Sequence, residues 1–367
     1  MILKTNTKKL VEFCKKHGHI APTFEDVKGI HGLFTYGHSA AGIMDRMISN
    51  WKSVFISRHR NHHMIEAPCI VTRNILEKSG HLNAFGSGSD SGLFGLFADR
   101  LYLRPETAQL IYHHYRRYKY LYGPTYGMGQ VGRSFRFERS SQRTSMRCWE
   151  FTQMEFQKFT RSKELLKIPK LLNCLEIVTD TGQSYKSLVH QEIAKGLLLN
   201  DQYMRTCDLK YRLCIITKNP PHYSRFTADV QVMVDGTWRQ MASINDRGYH
   251  DNSVMGCKPG EISVIEFSYG LNRLFWAITL KNFNGTTINY PKKCRILEGL
   301  IAIHKSADKP EHISKYMKYV LPEKIIKLSK IKSEKAILAY DKYYIAYTNR
   351  LEYLNENFEI IHTVKYG

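Results

Sequence analysis

Apolar side chains recur every fourth position at Ile43, Met47, Trp51 and Phe55. Residues 39–57 are therefore predicted as a helix with one core-facing stripe. Residues 8–16 read as another helix, and Thr107 to Tyr120, opening after Pro105, as a third. Strand signals follow a period of two or run continuously. Residues 64–71 (MIEAPCIV) read as one strand with a proline at its edge or bulge. Residues 130–159 hold two strand-like runs around a polar, basic segment from Arg139 to Thr144, which predicts an antiparallel pair joined by a long loop. Residues 226–233 and 238–244 flank Asp235-Gly236, a hairpin turn signal. Residues 261–267 form a strand that runs straight into Gly270 and a helix over 271–281. The Gly/Ser-rich stretch 84–97 is a loop, and 164–215 alternates helical and short strand signals. After Asn284-Gly285 the chain turns lysine- and tyrosine-rich, with short strands over 296–303, 336–339, 343–347 and 358–363 between helices. The pattern predicts an α+β protein: an antiparallel sheet flanked by helices over residues 1–284, then a small α/β domain over 285–367.

Composition sharpens this picture in three places. With 367 residues, 43% of them hydrophobic, there is material for two or three cored domains. Fifty-four Lys and Arg against 33 Asp and Glu give a formal charge of +21, which favours a polyanionic partner, nucleic acid first. Lysines scattered over 305–342 fit a solvated surface nearly as well. The eight cysteines form no C-x-x-C pair, so free thiols in a reducing compartment are expected rather than zinc or disulfides. No run of about 18 apolar residues is present, so no membrane partner is expected. The opening MILKTNTKKLVEF has no apolar h-region and no arginine, so neither a secretory nor a transit signal is expected. A cytoplasmic location follows as the expectation.

The titratable residues suggest one particular chemistry. Activating a carboxylate on a nucleoside triphosphate develops negative charge on phosphate oxygens, for which fixed arginines and magnesium are natural partners. An amino acid's ammonium needs acidic partners, and proximity does much of the rest without a nucleophilic side chain. Arg136, Arg147, Arg247 and Arg273 with Glu106, Glu138, Glu155 and Glu266 make such a set. Taken one at a time, each Arg–Glu pair reads as a surface salt bridge, and Phe151, Met154 and Phe156 read as core. His222 reads as a structural hydrogen-bonder, and the run RHRNHH with His59, His62 and His63 as a solvated or RNA-facing surface.

In order along the chain, these residues sit in segments that resemble a known family. Phe135-Arg136-Phe137-Glu138 resembles the F-R-x-E strand of class II aminoacyl-tRNA synthetases, and Gly270-Leu271-Asn272-Arg273 their terminal G-x-x-R. Leu103 to Gln109 reproduces the L-R-P-E-T-A-Q of the glycyl-tRNA synthetase family. Arg147 to Glu155 matches its R-x-x-E-F-T-x-x-E, and Val264 to Gly270 its V-I-E-P-S-x-G. Further segments match at Gly32 to Gly37, Ser79 to His81, His222 to Asp229 and Asn245 to Asp251, so the likeness covers roughly residues 20–282. The resemblance implies the class II antiparallel sheet flanked by helices. It also implies a glycine–tRNA ligase that uses ATP and magnesium, acts on tRNA and works as a homodimer, with the Pro68 strand and the Trp51 helix at the dimer contact. Catalysis falls to Arg136, Arg147 and Arg273. ATP would meet Arg136, Glu138, Arg147, Phe151 and Arg273, with Phe151 and Arg273 sandwiching the adenine. Glycine would meet Glu106, Arg136, Glu155, Arg247, Glu266 and Ser268 in a pocket too crowded for a side chain. Glu266 is the implied metal contact.

Several positions depart from the family pattern. Gln240 stands where the family has an acid that helps hold magnesium, Phe267 replaces a proline, Trp149 a second arginine, and Asn245 a small residue. The C-terminal domain resembles the family's anticodon-binding domain only over 336–363. A second implied reading follows from these departures. The accessory subunit of mitochondrial DNA polymerase resembles these enzymes, binds nucleic acid and a polymerase, and activates no amino acid; a DNA and polymerase partner and a mitochondrial location go with that reading.

Overall fold

The computed structural model describes residues 2–24, 26–27, 32–84, 91–97, 100–138, 146–169, 172, 174–290 and six strands beyond 298. Within-chain contacts divide the protein into two units, Met1–Cys294 and Arg295–Gly367. The boundary read from composition at 284/285 falls ten residues short of this division. Residues just past it still pack on the first unit: Phe283 bridges Ile288, and the Tyr290 hydroxyl lies 2.6 Å from His19 Nε2 and 2.8 Å from Thr279 Oγ1.

The first unit is built on one eight-stranded sheet. Its strands in chain order are β1 (His62–Met64), β2 (Gly127–Phe135), β3 (Glu150–Thr160), β4 (Ile177–Thr179), β5 (Arg212–Ile215), β6 (Phe226–Val234), β7 (Thr237–Gly248) and β8 (Ser263–Gly270). They lie in the order β4-β5-β6-β7-β8-β3-β2-β1, antiparallel except for the outer pairs β4/β5 and β1/β2. The principal helices are α1 (Ile2–Lys16), α2 (His38–Lys52), α3 (Ala108–Tyr122), α4 (Gln191–Thr206) and α5 (Leu271–Lys281). None of the described helices is long and apolar enough to cross a membrane.

The helical stripe behaves as its spacing demands. Ile43, Met47, Trp51 and Phe55 are all buried, with the last in a π-helical turn, Ser53–Ser57, that continues α2. Phe55 packs against Phe156 of β3 and against Phe267 and Tyr269 of β8, at centroid distances of 5.6 to 5.8 Å. Phe267 owes its place to Gly196 on α4, where even a Cβ would lie 1.9 Å from the phenyl ring. The aromatic side chain that replaces the family's proline is thus accommodated by an absent one opposite. Under α3 a second cluster gathers Tyr112, Tyr115, Tyr126 and Phe159.

Three expectations need correction. The stretch 64–71 is not one strand: pairing breaks between His62–Met64 and Ile70–Thr72, and Pro68, with no N–H to give a ladder, lies in the gap. The 84–97 stretch carries two short strands, Ser91–Gly92 and Gly95–Leu96, although part of it lies outside the described residues. The RHRNHH run is not simply a solvated face. His62 donates from Nδ1 to the Phe55 carbonyl at 2.7 Å and packs on Phe156, and burial, with His59 and Lys158 nearby, pushes its pKa down to about 3. His63 stacks on Tyr122 at 3.5 Å. The Asp235-Gly236 turn forms as expected, with both residues at positive φ.

The second unit is a six-stranded sheet in the order Lys324–Lys327, Gly299–Ile303, Ala336–Tyr340, Lys342–Ala346, Arg350–Leu354, Ile360–Lys365. The first pair is parallel and the rest antiparallel. Two of these strands, Lys324–Lys327 and Arg350–Leu354, had no signal in the sequence reading. The helices expected between them lie outside the described residues.

Candidate active site

A cavity of about 440 Å³ opens on the sheet face remote from α2 and Phe267. Alternation along the strands assigns its lining. On β3, Phe151, Gln153 and Glu155 face it while Met154 and Phe156 face the core; on β8, Glu266 and Ser268 face it while Phe267 and Tyr269 do not. The register brings Glu155 opposite Ser268, Gln157 opposite Glu266, and Asn245 of β7 opposite Glu266.

Strand β7 needs an irregularity to contribute fully. Its register with β6 shifts so that Val230 faces Ala242 and Gln231 faces Gln240, leaving Met241 as an inserted residue. In a regular strand, Gln240 and Ser243, three apart, would point to opposite faces. With the bulge, Gln240 Nε2 and Ser243 Oγ both donate to Asp229 Oδ1, at 2.7 and 3.4 Å.

Of the ten residues expected at the site from the sequence, nine line this cavity: Glu106, Arg136, Glu138, Arg147, Phe151, Glu155, Glu266, Ser268 and Arg273; Gln240 and Asn245, where the sequence departs from the family pattern, line it too. Arg247 does not. It is buried behind the wall, paired twice with Asp251 at 2.7 and 2.9 Å, and donates to Glu266 Oε2 at 3.1 Å. Tyr112 and Tyr223 flank its guanidinium, at 5.2 and 4.1 Å from the ring centroids. Although its own burial opposes the charge, Asp251, Tyr112 and Glu266 hold it firmly protonated. In this geometry Arg247 braces a pocket carboxylate instead of presenting a surface to the cavity.

One end of the cavity is acidic. Glu106 carries Arg136 at 3.6 Å and His81 at 3.1 Å on its two oxygens. Glu155 accepts from Thr107 Oγ1 at 3.0 Å, Ser268 Oγ at 3.2 Å and Gln157 Nε2 at 2.9 Å. Glu266 accepts from Asn245 at 2.7 Å, Arg247 at 3.1 Å, and Tyr112 and Gln157 at 3.3 Å. Burial pushes the Glu155 carboxyl well up, and the charges of Glu266 and Glu106 push it further. Glu266 is raised by the same burial against the pull of Arg247. Burial also works against Glu106, but His81, Arg247 and Arg136 together outweigh it and bring its pKa to about 2. The result is a small, buried, acid-rich recess short of positive charge.

The other end is cationic. Arg136 donates from Nε to the Pro105 carbonyl at 3.0 Å and lies 5.3 Å from the centroid of Phe151. Arg273, two residues into α5, is held by the carbonyls of Met146 at 2.9 Å and Gln240 at 3.2 Å. Its own burial, with Arg136 and Arg147 close by, pulls its pKa below the usual arginine value. Three arginines that repel one another in a partly buried cleft form a site arranged for an anion. Trp149, standing in for an arginine, does not join them: it packs on Phe137 and donates to the Glu138 carbonyl.

Gln153, Asn272 and Tyr112 were not singled out from the sequence. Gln153 Oε1 accepts from the Thr107 backbone N–H and from Ser134 Oγ, fixing the β2/β3 floor. Asn272 receives the Thr152 backbone N–H at 2.8 Å and reaches Tyr36 at 2.5 Å, locking α5 against β3. The i, i+2 spacing of Gln153 between Phe151 and Glu155 was an available signal; nothing linear marks Tyr112.

The magnesium contact implied at Glu266 does not suit this donor set. Both Glu266 oxygens already accept from protein donors, one of them a guanidinium. Among the described residues, no three His, Cys, Asp or Glu groups converge in a way that would hold a metal ion.

No protein-family model matches the chain. Among curated proteins, it is 27% identical over 202 residues to the glycine–tRNA ligase of Treponema pallidum (strain Nichols), covering 42% of this chain and 44% of that one. To the glycine–tRNA ligase of Methanococcus maripaludis (strain C5) it is 23% identical over 259 residues, covering 53% and 45%. To that of Mycoplasmopsis synoviae (strain 53) it is 22% identical over 360 residues, covering 75% and 74%. The chain thus spans less than half the length of the first two. Among solved structures it resembles Giardia lamblia prolyl-tRNA synthetase in complex with prolyl-adenylate, with a TM-score of 0.62 at 11% identity over 99% of this chain and 78% of that one. The cytoplasmic serine–tRNA ligase of Naegleria fowleri in complex with AMP gives 0.60 at 13% identity over 78% and 64%. The fold is that of the class II aminoacyl-tRNA synthetases, and the curated proteins that the chain resembles in sequence are glycine–tRNA ligases.

Proposed function

We propose that this cavity activates glycine with ATP to glycyl-adenylate and passes the glycyl group to tRNA. The observation that carries the reading is the pairing of a cationic wall, Arg136, Arg147 and Arg273, with a recess of three carboxylates, Glu106, Glu155 and Glu266, in one cavity. An ammonium bound in the recess would bring Glu155 a counter-charge and Glu266 a second one beside Arg247; burial, with the neighbouring acids, holds both pKa values up without it. Ser268 offers a further polar contact beside Glu155. Asn245, Gln153 and Tyr223 line the same space, and their bulk would select against a side chain on the amino acid.

In this reading the glycine carboxylate attacks the α-phosphorus of ATP, and pyrophosphate leaves. Arg136 bridges the two ends of the site: its Nη2 faces Glu106, and its position beside Phe151 suits contact with the α-phosphate. Arg273 and Arg147 stabilise charge on the triphosphate as it builds, the contribution expected to dominate in a site of this kind. Phe151 gives the adenine a face to stack on, and Glu138 accepts from its amino group. No step here passes through a protein-held metal.

Purified full chain should catalyse glycine-dependent exchange of pyrophosphate into ATP, and Arg136→Ala or Arg273→Ala should abolish it. Absence of exchange in the unaltered chain, with magnesium and glycine present, refutes the activity. Melting temperature raised by a glycyl-adenylate analogue supports the reading; stabilisation by duplex DNA instead supports the accessory-factor alternative.

A further inference from the structure

Asp229, Gln240 and Arg273 form a line across the cavity wall. Gln240 Nε2 donates to Asp229 Oδ1 at 2.7 Å, while its Oε1 faces Arg273 Nη1 at 3.4 Å and its backbone carbonyl accepts from the same Nη1 at 3.2 Å. The orientation of this amide is fixed by charge: reversed, its oxygen would face a carboxylate and its NH₂ a guanidinium. The bulge at Met241 is what turns Gln240 onto this face. Asp229 is the remaining acid on this wall, and its Oδ1 is shared between Gln240 and Ser243.

We infer that Gln240 is a positioning residue that links Arg273 to Asp229 through its amide, making Arg273 the resident cation of this wall and leaving no protein site for a divalent ion. A carboxylate at 240 would stand within 3 Å of Asp229 and call for a metal between the two. The amide removes that need. It gives Asp229 a donor and Arg273 an acceptor, beside the backbone carbonyl of the same residue. The triphosphate's own divalent ion is then held by phosphate and water, and loading the wall does not depend on free metal. This last consequence rests on the proposed adenylate-forming reading; the arrangement of Asp229, Gln240 and Arg273 does not.

The test is Mn²⁺ binding to the full chain without nucleotide, followed by electron paramagnetic resonance. The unaltered protein should hold no Mn²⁺ in the sub-millimolar range. Gln240→Glu should gain a site at least tenfold tighter, and adding Asp229→Asn to it should remove the gain. Tight Mn²⁺ binding by the unaltered chain, removed by Asp229→Asn, overturns the inference; so does a folded Gln240→Glu protein, checked by its melting profile, with no gain. Should Gln240→Glu fail to fold, the unaltered chain still decides through Asp229→Asn alone. A separate arm measures the affinity of α,β-methylene-ATP with magnesium and with a chelator. A change within threefold supports the inference, a loss of tenfold or more overturns it, and complete absence of nucleotide binding defeats the adenylate-forming reading while the Mn²⁺ arm still decides the inference.

Discussion

Glu155 and Glu266, on neighbouring strands, share a single amide: Gln157 Nε2 lies 2.9 Å from one carboxylate and 3.3 Å from the other. Each has further donors, but burial and the charge of neighbouring acids hold both above the ordinary carboxylate range. At these two groups the folded protein binds more protons than the unfolded chain as pH rises out of that range, so their share of the stability falls with rising pH. Asp229, raised to about 6 mainly by burial, acts in the same direction. Glu106 has the opposite sign: held at about 2, it contributes stability that is present above 4.5 and lost as pH falls toward 2. Buried histidines such as His62, held at about 3, add a rise with pH, so the sign is read from a difference: melting curves of the ligand-free protein and of Glu155→Gln should part as pH rises above about 4.5. Glu155→Gln should remove this acid's downward share of the pH dependence and stabilise by on the order of 1 kcal/mol while abolishing glycine activation, the trade expected where a site is strained for function. A Tm difference between the two proteins that does not grow with pH would show that the recess is not short of positive charge.

Arg273 serves two carbonyls at once, those of Met146 and Gln240. A lysine carries the same charge but not the planar fork that reaches both. Arg273→Lys should therefore lower kcat/KM for pyrophosphate exchange by roughly 10²-fold or more with little change in stability. Exchange kinetics beside a urea melt would separate the two effects, and near-normal exchange would remove Arg273 from the chemistry.

Phe267 and Gly196 should behave as a coupled pair. Phe267→Ala removes a buried ring packed on Phe55 and Phe156, a change that typically costs about 3–5 kcal/mol. Gly196→Ala drives a methyl into the same ring and should cost about 1–3 kcal/mol. In the double variant the methyl enters the space the ring vacated, so the combined loss should fall short of the sum by about 1 kcal/mol or more. Strict additivity in denaturant unfolding would show that the two do not share that space.

Breaking the buried Arg247 pairings should be among the most damaging single changes in the first unit. Arg247→Met leaves Asp251 and one side of Glu266 buried without their cation, a loss of about 3–5 kcal/mol. Replacing Asp251 by Asn as well should recover part of it, since one uncompensated charge is then gone. Urea unfolding of the two variants checks both, and a mild Arg247→Met would mean the cluster relaxes into water.

Much of the site was legible in linear order because strand alternation and short motifs fix which residues share a face. Glu106, Arg136, Glu138, Arg147, Phe151, Glu155, Glu266, Ser268 and Arg273 reach one cavity on that basis. What the sequence did not convey depends on neighbours across strands. Arg247 lies on β7, but only its contacts with Asp251 and Tyr112 show that it is walled in. Saturation of Glu266 requires Asn245, Gln157 and Tyr112 to arrive from three other elements. His62 sits in a hydrophilic run and looked solvated, but the turn after Phe55 folds it back onto that residue's carbonyl. The single strand read over 64–71 fails for a backbone reason, since pairing requires N–H groups that Pro68 lacks.

The extra residue at Met241 has a consequence for how this wall can change over time. Side-chain parity downstream of it depends on one inserted position, so the contact between Gln240 and Asp229 responds to the length of the strand as well as to its letters. Losing a single codon between Gln240 and Ser243 would turn the amide toward the helices and expose Asp229, a larger alteration than most point changes there. Length variation in this short stretch, rather than substitution, is the event that would rewire the wall.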